Sequence, residues 1–158
     1  MELKHIKNQG GIHTIVIDDD ITSFKEKEIV EEINFLEEKG VEDLRVVFKS
    51  FGGNVFYGFS ILTAITDTTM NTRADIIYAM SIAGVIAISC DTVEMRDYGI
   101  MMLHNPFLED REFLSDKENE IINKIRETII NIYNNRTKLS KEEVGKLMDD
   151  ETYLIAEE

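Results

Sequence analysis

Apolar residues recur along this chain in two rhythms. Short runs rich in β-branched or aliphatic residues (Ile12–Ile17, Leu44–Phe48, Ala74–Tyr78, Thr92–Met95, Ile100–Leu103 and Thr152–Ile155) read as strands. Between them, apolar positions return every three or four residues. Ile29, Ile33 and Leu36 form one such set, and Val55, Phe59, Leu62 and Ile65 a second, on a helix expected from Val55 to Met70. Ile121, Ile122, Ile125, Ile129, Ile132 and Tyr133 form the longest, on a helix expected to reach about Thr137. Ile82–Ser89 is apolar on every side, which predicts a short buried helix. Polar residues punctuate the pattern. Ser23 with Glu26, Ser115 with Glu118 and Ser140 with Glu143 have capping-box spacing, the last opening a helix over Lys141–Asp149. Gly40 ends the first helix, and Asp18-Asp19-Asp20 reads as a solvated turn closing the first strand. Asn105–Leu114 is polar and reads as an irregular excursion. Strands alternating with helices predict an α/β fold of right-handed crossover units. With no repeat, linker or low-complexity tract, residues 1–158 are expected to form one domain.

Composition narrows the function more than the fold. The 158 residues suffice for a sizeable core. They carry 17 basic and 31 acidic side chains, a net charge of −14, which argues against nucleic-acid backbones and anionic membranes as partners. The single cysteine, Cys90, excludes an internal disulfide and sits in an apolar run as a small buried hydrophobe. Three histidines and one cysteine offer no zinc-type spacing. The Asp triplet points its side chains alternately if extended, which disfavours a metal site. Residues 1–11 are polar and lack the apolar segment of a signal peptide, and no run approaches the ~18 apolar residues of a membrane span. A cytoplasmic location is expected.

Three features carry candidate chemistry. Gly52-Gly53 leaves the second strand, Ser81 opens the buried helix after the third, and His104 leaves the fifth. In open α/β sheets the functional crevice lies at the carboxyl ends of the strands, where these residues fall. Together they supply backbone amides for an oxyanion, a nucleophile and a base. Taken singly, each has a plainer reading: a tight turn, an N-cap serine and a buried core histidine.

Ser50-Phe51-Gly52-Gly53-Asn54-Val55, Met80-Ser81-Ile82-Ala83-Gly84-Val85-Ile86-Ala87 and Met101-Met102-Leu103-His104-Asn105-Pro106, in this order, resemble the Clp protease proteolytic subunit (ClpP) family, and its phage and prophage members most closely. The resemblance spans about residues 12–157. It implies a ClpP/crotonase-like fold of repeated ββα units, with a projecting helical arm at about 116–138. It implies a serine endopeptidase in which Ser81 is the nucleophile, His104 the general base, and the amides of Gly53 and Ile82 the oxyanion donors. The third triad position, an aspartate in the family, falls on Glu151, with Asp150 beside it as the alternative. Phe51 stands where the family has proline, Met80 where it has a small residue, and family members continue past Glu158 into another short strand. No cofactor is implied in the subunit. Implied partners are peptide or unfolded-protein substrates, further copies in heptameric rings or double rings, and an ATP-dependent unfoldase or phage head proteins. Two other readings stay open: an acyl-CoA-binding enzyme of the crotonase branch, and a catalytically weak or inactive scaffold subunit.

Overall fold

Six strands form one sheet in the order β1-β2-β3-β4-β5-β6, with three helices in the crossovers. They are β1 (Ile6–Gln9), β2 (Ile12–Ile21), β3 (Asp43–Gly53), β4 (Asn71–Met80), β5 (Thr92–Leu103) and β6 (Thr152–Ile155); the helices are α1 (Ser23–Glu38), α2 (Val55–Asp67), α3 (Ile82–Ile88), α4 (Asp116–Arg136) and α5 (Lys141–Asp149). The structure is a computed structural model that describes residues 4–9, 12–108 and 114–157. Strands β2 to β5 are parallel, as single-helix crossovers require, and β1 adds an antiparallel edge. The mixed α/β class expected from the alternation is the one observed. The chain divides into two compact units, Leu103–Thr152 and the remainder.

In the larger unit, alternate residues of each strand fill the core: Ile15 and Ile17, then Leu44, Val46, Phe48 and Ser50, then Ala74 and Ile76. Ile29, Ile33 and Leu36 of α1 are buried as expected. All seven residues of α3 are buried, and this helix packs on β3 and β4. On α2, which ends at Asp67 short of the expected Met70, the buried residues are Gly58, Ile61 and Ile65, so of the expected Val55-Phe59-Leu62-Ile65 face only Ile65 is buried and the face is rotated. The reason is Gly58: a Cβ there would lie 2.1 Å from Ile82 Cγ1, so the bare glycine lets α2 and α3 approach. Cys90 is fully buried.

Strand lengths differ from the expectation. β2 does not stop at the Asp triplet but runs through it to Ile21, with a register shift between Asp18 and Asp20 and φ +56° at Asp19. Asp18 accepts from Lys25 Nζ at 2.6 Å. The cap of α1 is Thr22 rather than Ser23, and Glu26 bonds the Ser60 hydroxyl instead of closing a capping box. β3 continues through Gly52-Gly53, so the glycine pair is the end of a paired strand. Thr92–Met95 and Ile100–Leu103 belong to one strand, β5. Its register jumps from Ile76↔Met95 to Tyr78↔Ile100, leaving residues 96–99 as an excursion within it. Asp75, 2% exposed, pins the base of that excursion with bonds from Arg96 Nε at 2.8 Å and Nη2 at 2.6 Å, and it also pairs with Arg45. β1 went unforeseen because three of its four residues, Lys7, Asn8 and Gln9, are polar.

In the smaller unit, capping boxes at Ser115/Glu118 and Ser140/Glu143 open α4 and α5 where expected. The buried stripe of α4 is Ile125, Ile129, Ile130 and Tyr133, while Ile121 is 45% exposed. Arg126 ties the helices to the preceding chain, donating to Asn105 Oδ1 and Asp149 Oδ1 at 2.8 Å each and to the Gly145 carbonyl at 3.3 Å. Residues 105–108 are irregular, and the rest of the expected excursion, 109–113, lies outside the described residues. Among the described residues no helix is long and apolar enough to cross a membrane.

Candidate functional site

Ser81 occupies the one-residue junction between β4 and α3, with φ +56° and ψ −131°. That region is strained for any residue carrying a Cβ. An ordinary N-cap serine is extended and accepts from the first helical amides. Ser81 is not extended, and its side chain makes no capping hydrogen bond. Its backbone is held from two sides. The amide donates to the Met102 carbonyl at 2.9 Å, and its carbonyl accepts from the Gly84 amide at 3.0 Å and the Val85 amide at 3.4 Å. A sharp strand-to-helix turn of this kind presents a nucleophile at the edge of a sheet.

The glycine pair is packed directly against this turn. A Cβ on Gly52 would stand 2.7 Å from Ser81 Cβ and 3.3 Å from Ser81 Oγ, and Gly52 has φ +103°. Gly53, φ +144°, is pressed onto β2, where a Cβ would meet the Ile21 carbonyl oxygen at 2.6 Å. Both positions therefore exclude a side chain on steric and conformational grounds. Ser50, fully buried, donates to the Asp19 carbonyl at 2.6 Å and accepts from the Gly52 amide at 3.1 Å. Asn54 then caps α2, accepting from the Phe56 amide at 2.9 Å and the Tyr57 amide at 3.4 Å. Phe51 is 63% exposed, its ring 5.0 Å from that of Tyr78 at 42°.

The smaller unit holds the remaining candidates. His104 directly follows β5, half-buried, with Phe107 edge-on at 5.5 Å. Burial pushes its imidazole below the ordinary 6.5, and the negative charge of Glu151 partly opposes that. Glu151 has φ +48° just past the C-cap of α5, its amide donating to the Met148 carbonyl at 3.3 Å. Its neighbours are committed elsewhere: Asp150 to Lys146, and Asp149 to Asn105 and Arg126. Of the three successive acids, Glu151 is the one whose charge bears on His104.

Gly52, Gly53, Ser81 and Ile82 are thus brought together in one unit, and His104 with Glu151 in the other. Sequence reasoning overlooked Ser50 and Gly58. The signal for Ser50 was available, because the alternation Leu44, Val46, Phe48 puts it on the buried face. Among the described residues no cluster of three His, Cys, Asp or Glu side chains could hold a metal ion. No curated protein matches the chain. The family model of Clp protease, however, matches residues 8–158. Fold, motif order and this match agree: the chain belongs to the Clp protease family.

Proposed function

We propose that this protein is a serine endopeptidase with Ser81 as nucleophile, His104 as general base and Glu151 as the carboxylate that orients and charges against the imidazole. The family is one of peptidases, and its members generally form oligomeric rings that degrade protein substrates. The observation that carries the residue assignment is the strained turn at Ser81 pressed against Gly52, a conformation an N-cap serine has no need of.

Ser81 Oγ attacks the carbonyl carbon of a peptide bond while the neutral imidazole of His104 takes the hydroxyl proton. The carbonyl oxygen becomes an oxyanion, held by the amides of Gly53 and Ile82. The Gly52 amide is occupied by Ser50, which supports Gly53 as the donor from this turn. Collapse breaks the C–N bond, and the amine leaves with the proton from the imidazolium. Water then attacks the acyl-serine, His104 again taking the proton. The carboxylic acid product departs as the serine recovers its hydrogen. The lowered pKa of His104 favours the base form this sequence needs. We place the active protein in heptameric single or double rings of phage type, fed by an unfoldase or by head proteins.

A fluorophosphonate should label Ser81 alone, and Ser81→Ala and His104→Ala should each abolish labelling and peptide cleavage, since triad members act as a unit. Folded, oligomeric wild-type protein that stays unlabelled would instead make this a scaffold subunit. Acyl-CoA turnover without labelling would place it in the crotonase branch.

A further inference from the structure

Ser50 carries a fully buried hydroxyl that the mechanism above does not use. Ser50 lies at 0% exposure on the face of β3 that carries Leu44, Val46 and Phe48. A buried hydroxyl is costly unless both its donor and its acceptor are satisfied. Here both are, and by main chain only: the Asp19 carbonyl at 2.6 Å and the Gly52 amide at 3.1 Å. Asp19 is itself unusual: it has φ +56° and lies at the register shift of β2, between the pairs Asp18↔Lys49 and Asp20↔Gly52.

The consequence reaches the nucleophile in two steps. Holding the Gly52 amide helps fix the rotation of the peptide plane entering Gly52, a residue at φ +103°. Gly52 in turn stands against Ser81, with no room for even a methyl group between them. The plane after Gly52 carries the Gly53 amide. We infer that Ser50 is a positioning residue: clamped to Asp19, it sets the Gly52-Gly53 turn against Ser81 for stabilising the transition state, beyond any contribution to folding. This rests on the protease reading of Ser81.

The test measures fluorophosphonate labelling of the full-length protein, separating the limiting rate (kinact) from the affinity (KI), with melting temperature measured alongside. Ser89→Ala is the control, since Ser89 is also buried and donates to the Val85 carbonyl at 2.8 Å, at the far end of α3 from Ser81. Ser50→Ala should lower kinact about 10- to 100-fold, the scale of a misplaced oxyanion donor. KI should stay within about twofold, while Ser89→Ala should lose stability with kinact unchanged. Ser50→Cys, which keeps the packing but replaces the hydroxyl by a weak donor and acceptor, should show the same kinetic split and covers the case in which the alanine variant does not fold. Wild-type kinact in a folded Ser50 variant, or a loss matching only its unfolded fraction, would overturn the inference and leave the protease reading intact. Wild-type protein that does not label would overturn both.

Discussion

A half-buried imidazole loses more from charging than an exposed one, because the imidazolium gives up hydration that the neutral ring never needed. For His104 this depression outweighs the opposing charge of Glu151. The labelling rate of the wild-type protein should therefore rise with pH through a midpoint below 6.5 and level off near neutrality. Glu151→Gln removes the charge that favours imidazolium, so the midpoint should move lower still and the plateau should fall by orders of magnitude. Asp150→Asn should leave both nearly unchanged, because that carboxylate is paired with Lys146. A pH–rate titration of the three proteins reads all of this, and the opposite ranking of the two variants would pass the role to Asp150.

At the scale of elements, one buried carboxylate, Asp75, joins β3, β4 and β5 through Arg45 and Arg96. Burial alone would raise the pKa of Asp75, but the hydrogen bonds and charges of Arg96 and Arg45 outweigh it and hold the carboxyl below its ordinary 3.8. A carboxylate whose pKa is depressed by folding contributes stability above its unfolded pKa. That contribution is lost as pH falls through the lower folded value. Asp75→Asn should therefore melt earlier than the wild type at pH 7, and the gap should close below about pH 4, a window set by the downward shift. The loss should be roughly 2–3 kcal/mol, less than the ~3–5 kcal/mol of a fully enclosed pair, because both guanidinium groups keep contact with water. Urea melts at several pH values measure it.

The helix signals of the smaller unit were legible because they are local, whereas Ser23 and Glu26 form no capping box. Ser115 and Ser140 cap within three residues of themselves, and α5 and β6 begin and end where the pattern put them. Strand ends were not, because a ladder is decided by the neighbouring strand. Pairing with β3 draws β2 through three aspartates, and pairing with β2 carries β3 across two glycines. The site divides in the same way. Ser81, His104 and the glycine pair stood out as motifs, whereas Ser50 and Gly58 matter through Asp19 and Ile82, some 31 and 24 residues away (50 − 19 and 82 − 58).

For the whole molecule, charge and family pull in different directions. The proposed ring would bring like-charged copies together, each carrying −14. Exposed apolar side chains such as Ile121 at 45% and Tyr98 at 73% favour association, while the shared negative charge opposes it. Light scattering at neutral pH should therefore give a mass several times 18.2 kDa, with the assembly tighter in about 0.5 M salt than in 10 mM, where repulsion is less screened. A monomer under both conditions would remove the ring proposal. The turn at Ser81 has a further consequence for the molecule as a whole. A non-glycine residue in that conformation costs the fold about 1–3 kcal/mol, which glycine would largely avoid. Selection for durability alone would thus favour glycine at position 81 and silence the proposed nucleophile in the same step. Serine persists there only while something rewards its hydroxyl, so laboratory evolution of this protein toward heat resistance needs an activity screen running beside it.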